Sequence, residues 1–138
     1  MRAAALLAGA LVLFGCGDGS AGAIACQQRL VDSLSGASPR AGGRDIAAPF
    51  AAIRRRVEAM PRDGCSEDQV RTADSMAGSA GRVAAAAQRA GDLMKAMEQG
   101  RSPGSDRNLA ELMHELEGFE RRRAALREDL ARMTAGER

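Results

Sequence analysis

The stretch LAELMHELEGFERRRAALREDLARM, residues 109–133, decides the fold. Large apolar residues recur along it at alternating steps of three and four, and only one position of this stripe, Arg123, is charged. Residues spaced in this way share one face of a helix, whereas a strand requires alternation by two. The stretch therefore predicts a long C-terminal helix over residues 107–134 with one apolar stripe. The stripe consists of Leu109, Leu112, Leu116, Phe119, Arg123, Leu126, Leu130 and Met133.

Three more helices are predicted upstream, over residues 24–34, 46–60 and 67–99. Asp45 is placed to cap the second of them, and Ser66 with Gln69 forms a capping box for the third. The third helix has its own seam of mostly small residues. The seam consists of Ala73, Met76, Ala80, Val83, Ala87, Ala90, Met94 and Met97. The sequence thus predicts an all-α fold: a small three- or four-helix bundle with a long C-terminal helical hairpin as its main body.

Folding the last two helices back on each other around residue 102 gives a predicted register. Leu116 and Phe119 then fall opposite the small residues 84–87, and Arg123 falls opposite position 81. Glycines inside the third helix, such as Gly81, are expected to kink it, split it or admit a close neighbour, since each costs about 1 kcal/mol relative to alanine.

An uncharged apolar run, residues 3–14, follows Arg2 at the N-terminus. The run is too short to span a bilayer, which takes about 20 apolar residues, and fits a secretory signal peptide. It closes on Leu13-Phe14-Gly15-Cys16, which resembles the lipobox of bacterial lipoproteins. The resemblance implies removal of residues 1–15 and a lipid on Cys16 that anchors the protein in a membrane. Residues 16–23 would then form the lipidated cysteine and a flexible tether, and residues 24–138 the helical domain.

Cys26 offers a second possible mature N-terminus, because Ala23-Ile24-Ala25 before it reads as a weaker lipobox or as an ordinary signal peptidase site. Cys26 lies far beyond the apolar run, which favours Cys16. Lipidation of Cys16 also leaves Cys26 and Cys65 as a pair suited to an oxidising compartment. We therefore predict a disulfide between these two cysteines.

Composition and motifs argue against several functional classes. Twenty basic residues nearly balance 18 acidic ones, and the chain has neither Trp nor Tyr. A nucleic-acid interface would need a basic patch and usually stacking aromatic residues. Glu111 and His114 have the E-x-x-H spacing of di-iron bundles, but it occurs once and off the apolar stripe, so His114 is expected to face water. We predict no catalysis, no metal site and no cofactor.

The remaining hypothesis is binding. Met94, Met97 and Met113 are candidates for an adaptable apolar surface, and Arg123 is a fourth candidate partner-binding residue. The arginine triplets at 54–56 and 121–123 are expected to be solvated, with Arg123 as the exception because the stripe would bury its stem.

The chain is accordingly predicted to be a periplasmic-side lipoprotein that binds another envelope component. Its size, anchor and helicity are similar to those of secretion pilotins, which escort an outer-membrane protein. The alternative is a structural lipoprotein that self-associates through residues 107–134. Gly17 after Cys16 implies, within the lipoprotein family of enteric bacteria, the outer rather than the inner membrane.

Overall fold

In a computed structural model of the 138-residue chain, every regular element of the described residues is a helix. The described residues are 18–36, 45–100 and 107–136; the predicted signal peptide and Cys16 lie outside them. The predicted all-α class is therefore confirmed for this part of the chain. The helices are α1 (Asp18–Ser33), α2 (Ala47–Ala59), α3 (Glu67–Glu98) and α4 (Arg107–Ala135).

The longest helix, α3, is the element around which the others are arranged. Its 32 residues extend about 48 Å at 1.5 Å per residue. The interface between α2 and α3 is the most extensive, followed by the one between α3 and α4, while α1 packs mainly against α4. The α3–α4 hairpin thus exists as predicted, but α2 belongs to the main body rather than lying beside it with α1.

Helix α1 begins at Asp18, six residues earlier than the sequence predicts. Residues 18–22, expected to be part of a flexible tether, are helical instead. Gly22, at the end of this segment, packs closely against the connection between α2 and α3, since the position of a Cβ on Gly22 lies 3.3 Å from the carbonyl oxygen of Gly64. The Gln69 side-chain amide also donates a hydrogen bond to the Ala23 carbonyl oxygen at 2.7 Å. The predicted tether therefore becomes shorter than residues 16–23.

Both predicted helix starts have the expected capping contacts. The Ser66 hydroxyl accepts from the Gln69 backbone N–H at 3.2 Å, and the Gln69 side chain accepts from the Ser66 N–H at 3.0 Å, which confirms the capping box. The Asp45 carboxylate accepts from the Ala48 N–H at 3.2 Å. Each contact satisfies an N–H group that has no partner within the helix.

The core combines small residues of α3 with large residues of its neighbours. At its centre the rings of Phe50 and Phe119 meet edge to face, 5.0 Å apart with an interplanar angle of 77°. That geometry is favoured by the charge distribution of aromatic rings. Because alanine brings the backbones close, a chain with few large apolar residues still closes its core. The buried α3 residues are Ala73, Met76, Ala77, Ser79, Ala80, Val83, Ala86 and Ala90.

The register between α3 and α4 differs from the prediction by about one helical turn. Arg122 donates hydrogen bonds to the hydroxyls of Ser75 and Ser79, at 3.2 and 2.6 Å. Arg82 pairs with Glu115 at 3.2 Å. Position 123 therefore lies opposite residues 75–79 instead of position 81, because the side-chain contacts between the two helices, rather than the midpoint of their connection, set the register.

Helix α3 is continuous through its glycines. A Cβ on Gly81 would lie 3.0 Å from the guanidinium of Arg54, whereas one on Gly91 would have no neighbour within 4 Å. Close approach of a neighbour, one of the three expected explanations, therefore applies to Gly81.

Cys26 and Cys65 are joined, with their Cα atoms 5.2 Å apart, as the sequence predicts. Cys26 lies within α1 and is fully buried, and Cys65 lies in the connection between α2 and α3. The disulfide therefore attaches α1, a helix with few contacts to α2 and α3, to the main body.

Candidate functional site

Four large apolar side chains are exposed where α3 ends and α4 begins. Their exposed fractions are 54–63%, although side chains of this kind are usually buried. We call these residues the tip surface: Met94, Met97, Leu109 and Met113. An exposed apolar cluster of this kind is typical of a binding site.

The tip surface borders a groove between the two helices. This tip groove has a volume of about 460 Å³ and ends against the first residues of α2. Met94 and Leu109 are the two members of the tip surface that line it. The remaining lining residues are Asp45, Ile46, Ala47, Ala87, Gln88, Ala90, Gly91, Asp92, Lys95 and Leu112.

The groove is open because α2 is much shorter than α3. Ala47, the first residue of α2, shares the groove wall with Ala87 and Ala90, so the last two turns of α3 extend beyond it.

The structure places the predicted methionine candidates in one region of the molecule. Met94 and Met97 continue the α3 seam beyond the N-terminus of α2, and Met113 lies one turn from Leu109 on α4. Leu109 was predicted as part of the buried stripe, so the sequence alone missed it as a surface residue. Its position near the start of α4, beyond the reach of α2, is the signal that could have identified it.

Arg123, the fourth predicted partner-binding residue, is not part of the site. Its side chain is buried, and its guanidinium donates to the Leu34 carbonyl oxygen at 3.2 Å and to the Glu120 carboxylate at 2.5 Å. It also lies 5.8 Å from the centre of the Phe119 ring. These contacts give Arg123 a role in holding α1 against α4, because burial leaves no surface for a partner.

The arginine triplets contribute to the packing of the helices as well as to the solvated surface. Arg56 donates to the carbonyl oxygens of Ser33 and Ser35 at 3.2 and 2.5 Å, at the end of α1. Arg121, by contrast, is three-quarters exposed and pairs with Glu117 on its own helix. Arg123 is buried, as the stripe predicts, and the other members of the triplets are at least partly exposed, but the hydrogen bonds of Arg56 add a packing role to its exposed side chain.

The E-x-x-H pair has no metal-binding geometry. Glu111 forms an ion pair with Arg89 at 2.8 Å, and His114 is exposed. Across residues 18–36, 45–100 and 107–136, no group of three or more His, Cys, Asp or Glu side chains is arranged to hold a metal ion.

A second groove, with a volume of about 540 Å³, lies between the start of α3 and the end of α4. Its charged lining residues include Asp68 and Arg71, which pair with each other. None of the exposed large apolar residues of the described chain lines it, so the tip groove is the stronger candidate for a binding site.

Comparison of the chain with protein-family models, with curated proteins and with solved structures found no match. Within the described part of the chain, no helix combines the length and the apolar character needed to cross a membrane.

Proposed function

We propose that this protein is a lipoprotein anchored through Cys16 on the periplasmic side of a membrane, the outer membrane in preference to the inner. Its helical domain acts as a non-catalytic module that binds another component of the cell envelope through the tip surface. The proposal combines the lipobox resemblance of residues 13–16 with the exposed apolar residues at the hairpin end.

The observation that carries the proposal is the position of the tip surface relative to the N-terminus. Gly22 in α1 packs against Gly64, two residues before the Ser66 cap of α3, so the N-terminal end of the domain lies beside the start of α3. The tip surface lies at the other end of this helix, about 48 Å away. A lipid on Cys16, two residues before α1, would keep one end at the membrane and direct the apolar surface away from it. Such an arrangement suits a protein partner better than a lipid bilayer.

The buried stripe of α4 favours binding of another component over self-association through this helix. Leu112, Leu116, Phe119 and Leu126 all pack inside the bundle and are not available to a second copy. A self-associating lipoprotein would therefore need a different surface from the one the stripe suggested.

Intact mass measurement of the protein extracted from bacterial membranes tests the anchor. We expect loss of residues 1–15, an added lipid mass and, on reduction, a gain of two protons from Cys26 and Cys65. In a Cys16→Ala variant the protein should lose its lipid and its processing at this site. A mature chain that begins at Cys26 without lipid would overturn the membrane part of the proposal.

Photo-crosslinking in cells tests the binding part. A photoreactive phenylalanine analogue is placed at Met97 on the tip surface or, as a matched control, at Ala131, which is exposed near the opposite end of α4. We expect a crosslink to a discrete envelope protein from position 97 and not from position 131. Crosslinks only between copies of this chain would instead establish the self-associating alternative.

A further inference from the structure

The tip groove continues an interface that the protein itself fills with a helix. Phe50, Ile53 and Val57 of α2 are buried at steps of three and four, and Phe50 reaches across to Phe119 of α4. Helix α2 therefore packs one apolar face against α3 and reaches α4 through Phe50. The apolar surface of α3 that α2 covers continues beyond the N-terminus of α2.

Beyond α2 the same two helices form the walls. Ala87, Ala90 and Met94 line the α3 side, and Leu109 with Leu112 lines the α4 side. Ala90 and Leu112 are buried, while Met94 and Leu109 are more than half exposed. The apolar surface formed by α3 and α4 is therefore continuous. It is buried beside α2 and becomes exposed to solvent beyond the N-terminus of α2.

The dimensions of the groove fit a short helical segment. A cavity of roughly 150 Å³ holds one benzene ring, so the groove of about 460 Å³ has room for about three large side chains. An amphipathic helix presents three such side chains over two turns, at i, i+3 or i+4, and i+7.

Charged residues at the rim of the groove favour a basic ligand. Among the described residues, the charged side chains at the rim are Asp45, Asp92 and Lys95, with an excess of one negative charge. A helix that lies end to end with α2, in the same direction, brings its C-terminus to the N-terminus of α2. Basic residues are favoured in the last turn of a helix by its dipole, and there they would meet these carboxylates.

We propose that the tip groove binds an amphipathic helix of a protein partner, laid end to end with α2, with apolar side chains at i, i+3/i+4 and i+7 and a basic polar face. This inference rests on the proposed binding function and specifies its ligand. A helix is the occupant because the adjoining part of the same α3 surface is already covered by one.

A second copy of this chain is a poorer occupant. Among the described helices, the large apolar residues of α2 are buried in their own bundle, and those of α4 are buried or belong to the tip surface, except Leu130 and Met133, which are partly exposed at the opposite end of α4. Two tip surfaces facing each other would bring methionine against methionine and provide no helix to fill either groove.

A defined peptide tests the proposal on the processed lipoprotein in phosphatidylcholine nanodiscs. The probe is an 18-residue peptide of leucine and lysine with leucine at helical spacing; the comparison peptide has the same composition in an alternating order. Crosslinking from the photoreactive residue at position 97 reports binding at the tip, and position 131 reports any binding caused by the membrane. We expect saturable crosslinking at position 97, with a half-saturation concentration at least tenfold lower for the helical peptide.

Two exposed methionines provide matched variants. Met94 lines the groove and Met113 does not, yet both side chains are about 60% exposed, so neither substitution removes core packing. Met94→Ser should raise the half-saturation concentration at least tenfold, and Met113→Ser should change it less than threefold.

Equal binding of the two peptides, or an equal effect of the two variants, would overturn the inference. So would sedimentation of a dimer that Met94→Ser dissociates, since a second copy would then occupy the groove. The proposed function fails separately: if crosslinks to an envelope protein at position 97 persist in cells while the peptide does not bind, only the helical ligand is refuted.

Discussion

The guanidinium of Arg123 on α4 donates a hydrogen bond to the carbonyl oxygen of Leu34, the first residue after α1, across 3.2 Å. The last carbonyl groups of a helix have no donor within the helix and need partners elsewhere. Arg56 of α2 supplies them for the adjacent residues Ser33 and Ser35. The end of α1 is thus held by arginines from two other helices, which compensates for its limited apolar contact with α2 and α3.

Replacement of Arg123 by methionine should destabilise the protein although methionine keeps much of the apolar volume. The change leaves the Leu34 carbonyl and the Glu120 carboxylate without this donor, and we expect a loss of about 2–3 kcal/mol in the free energy of unfolding. Urea denaturation measures it. Arg121→Met, at an exposed position on the same helix, is the control and should change stability by less than about 0.5 kcal/mol. Equal effects of the two variants would remove Arg123 from its structural role.

Reduction of the disulfide between Cys26 and Cys65 should loosen α1 first. The bond closes a loop with a sequence separation of 39 residues, which corresponds to about 4 kcal/mol on the chain-entropy estimate. Thermal unfolding with and without reductant should show a large fall in the melting temperature, and hydrogen exchange should increase in α1 before α3. If reductant changes neither the mass nor the melting temperature, the cysteines are not joined in the protein.

Two glycine-to-alanine substitutions should have opposite effects. Gly64 has a φ of 73°, and a Cβ there would meet the Cα of Gly22 at 3.2 Å. Gly64→Ala should therefore cost about 1–2 kcal/mol. Gly91 lies inside α3 with nothing within 4 Å of the Cβ position, so Gly91→Ala should stabilise by up to about 1 kcal/mol. Melting temperatures that shift in the same direction would contradict the close contact between Gly22 and Gly64.

Mild oxidation should modify the tip surface selectively. Hydrogen peroxide transfers one oxygen to a methionine thioether and leaves as water, and access to the sulfur governs the rate. Met94, Met97 and Met113 should become sulfoxides well before Met60 and Met76, which are at most 6% exposed. Peptide mass spectrometry after a peroxide time course measures this order. The circular dichroism spectrum should stay unchanged, and early oxidation of Met76 would show that the core opens readily.

Most of the helices could be predicted from the periodicity of apolar residues, because an apolar stripe on a helix depends only on the local spacing of these residues. The seam of α3 from Ala73 to Ala90 and the stripe of α4 from Leu112 to Leu126 are buried as predicted, except that Ala87 is only partly covered. The capping box at Ser66 could be read for the same reason, since both of its partners lie within four residues. The packing of the early part of α1 could not be predicted in this way, because Gly22 and Ala23 contact Gly64 and Gln69, which lie far away in sequence.

The sequence predicted part of the candidate site. Methionines at the end of the α3 seam suggested an adaptable surface, but periodicity cannot show where a covering helix ends. Met94 and Ala90 occupy the same seam, yet one is exposed and the other buried, because α2 reaches only one of them. For Arg123, spacing predicted that its stem would be buried, while its hydrogen bond to Leu34 depends on the packing of α1 against α4.

By itself, the sequence determined that the chain forms amphipathic helices, which residues cap two of them and which cysteines are available to pair, since these properties follow from local spacing and from residue type. Only the tertiary structure decided the register of α3 on α4, the placement of α2 along α3 and the hydrogen bond of Arg123 to Leu34. These depend on contacts between residues distant in the chain, whose relative positions local spacing does not specify. The exposed tip is the consequence: a helix of 13 residues packs against one of 32 and leaves the end of the cleft open.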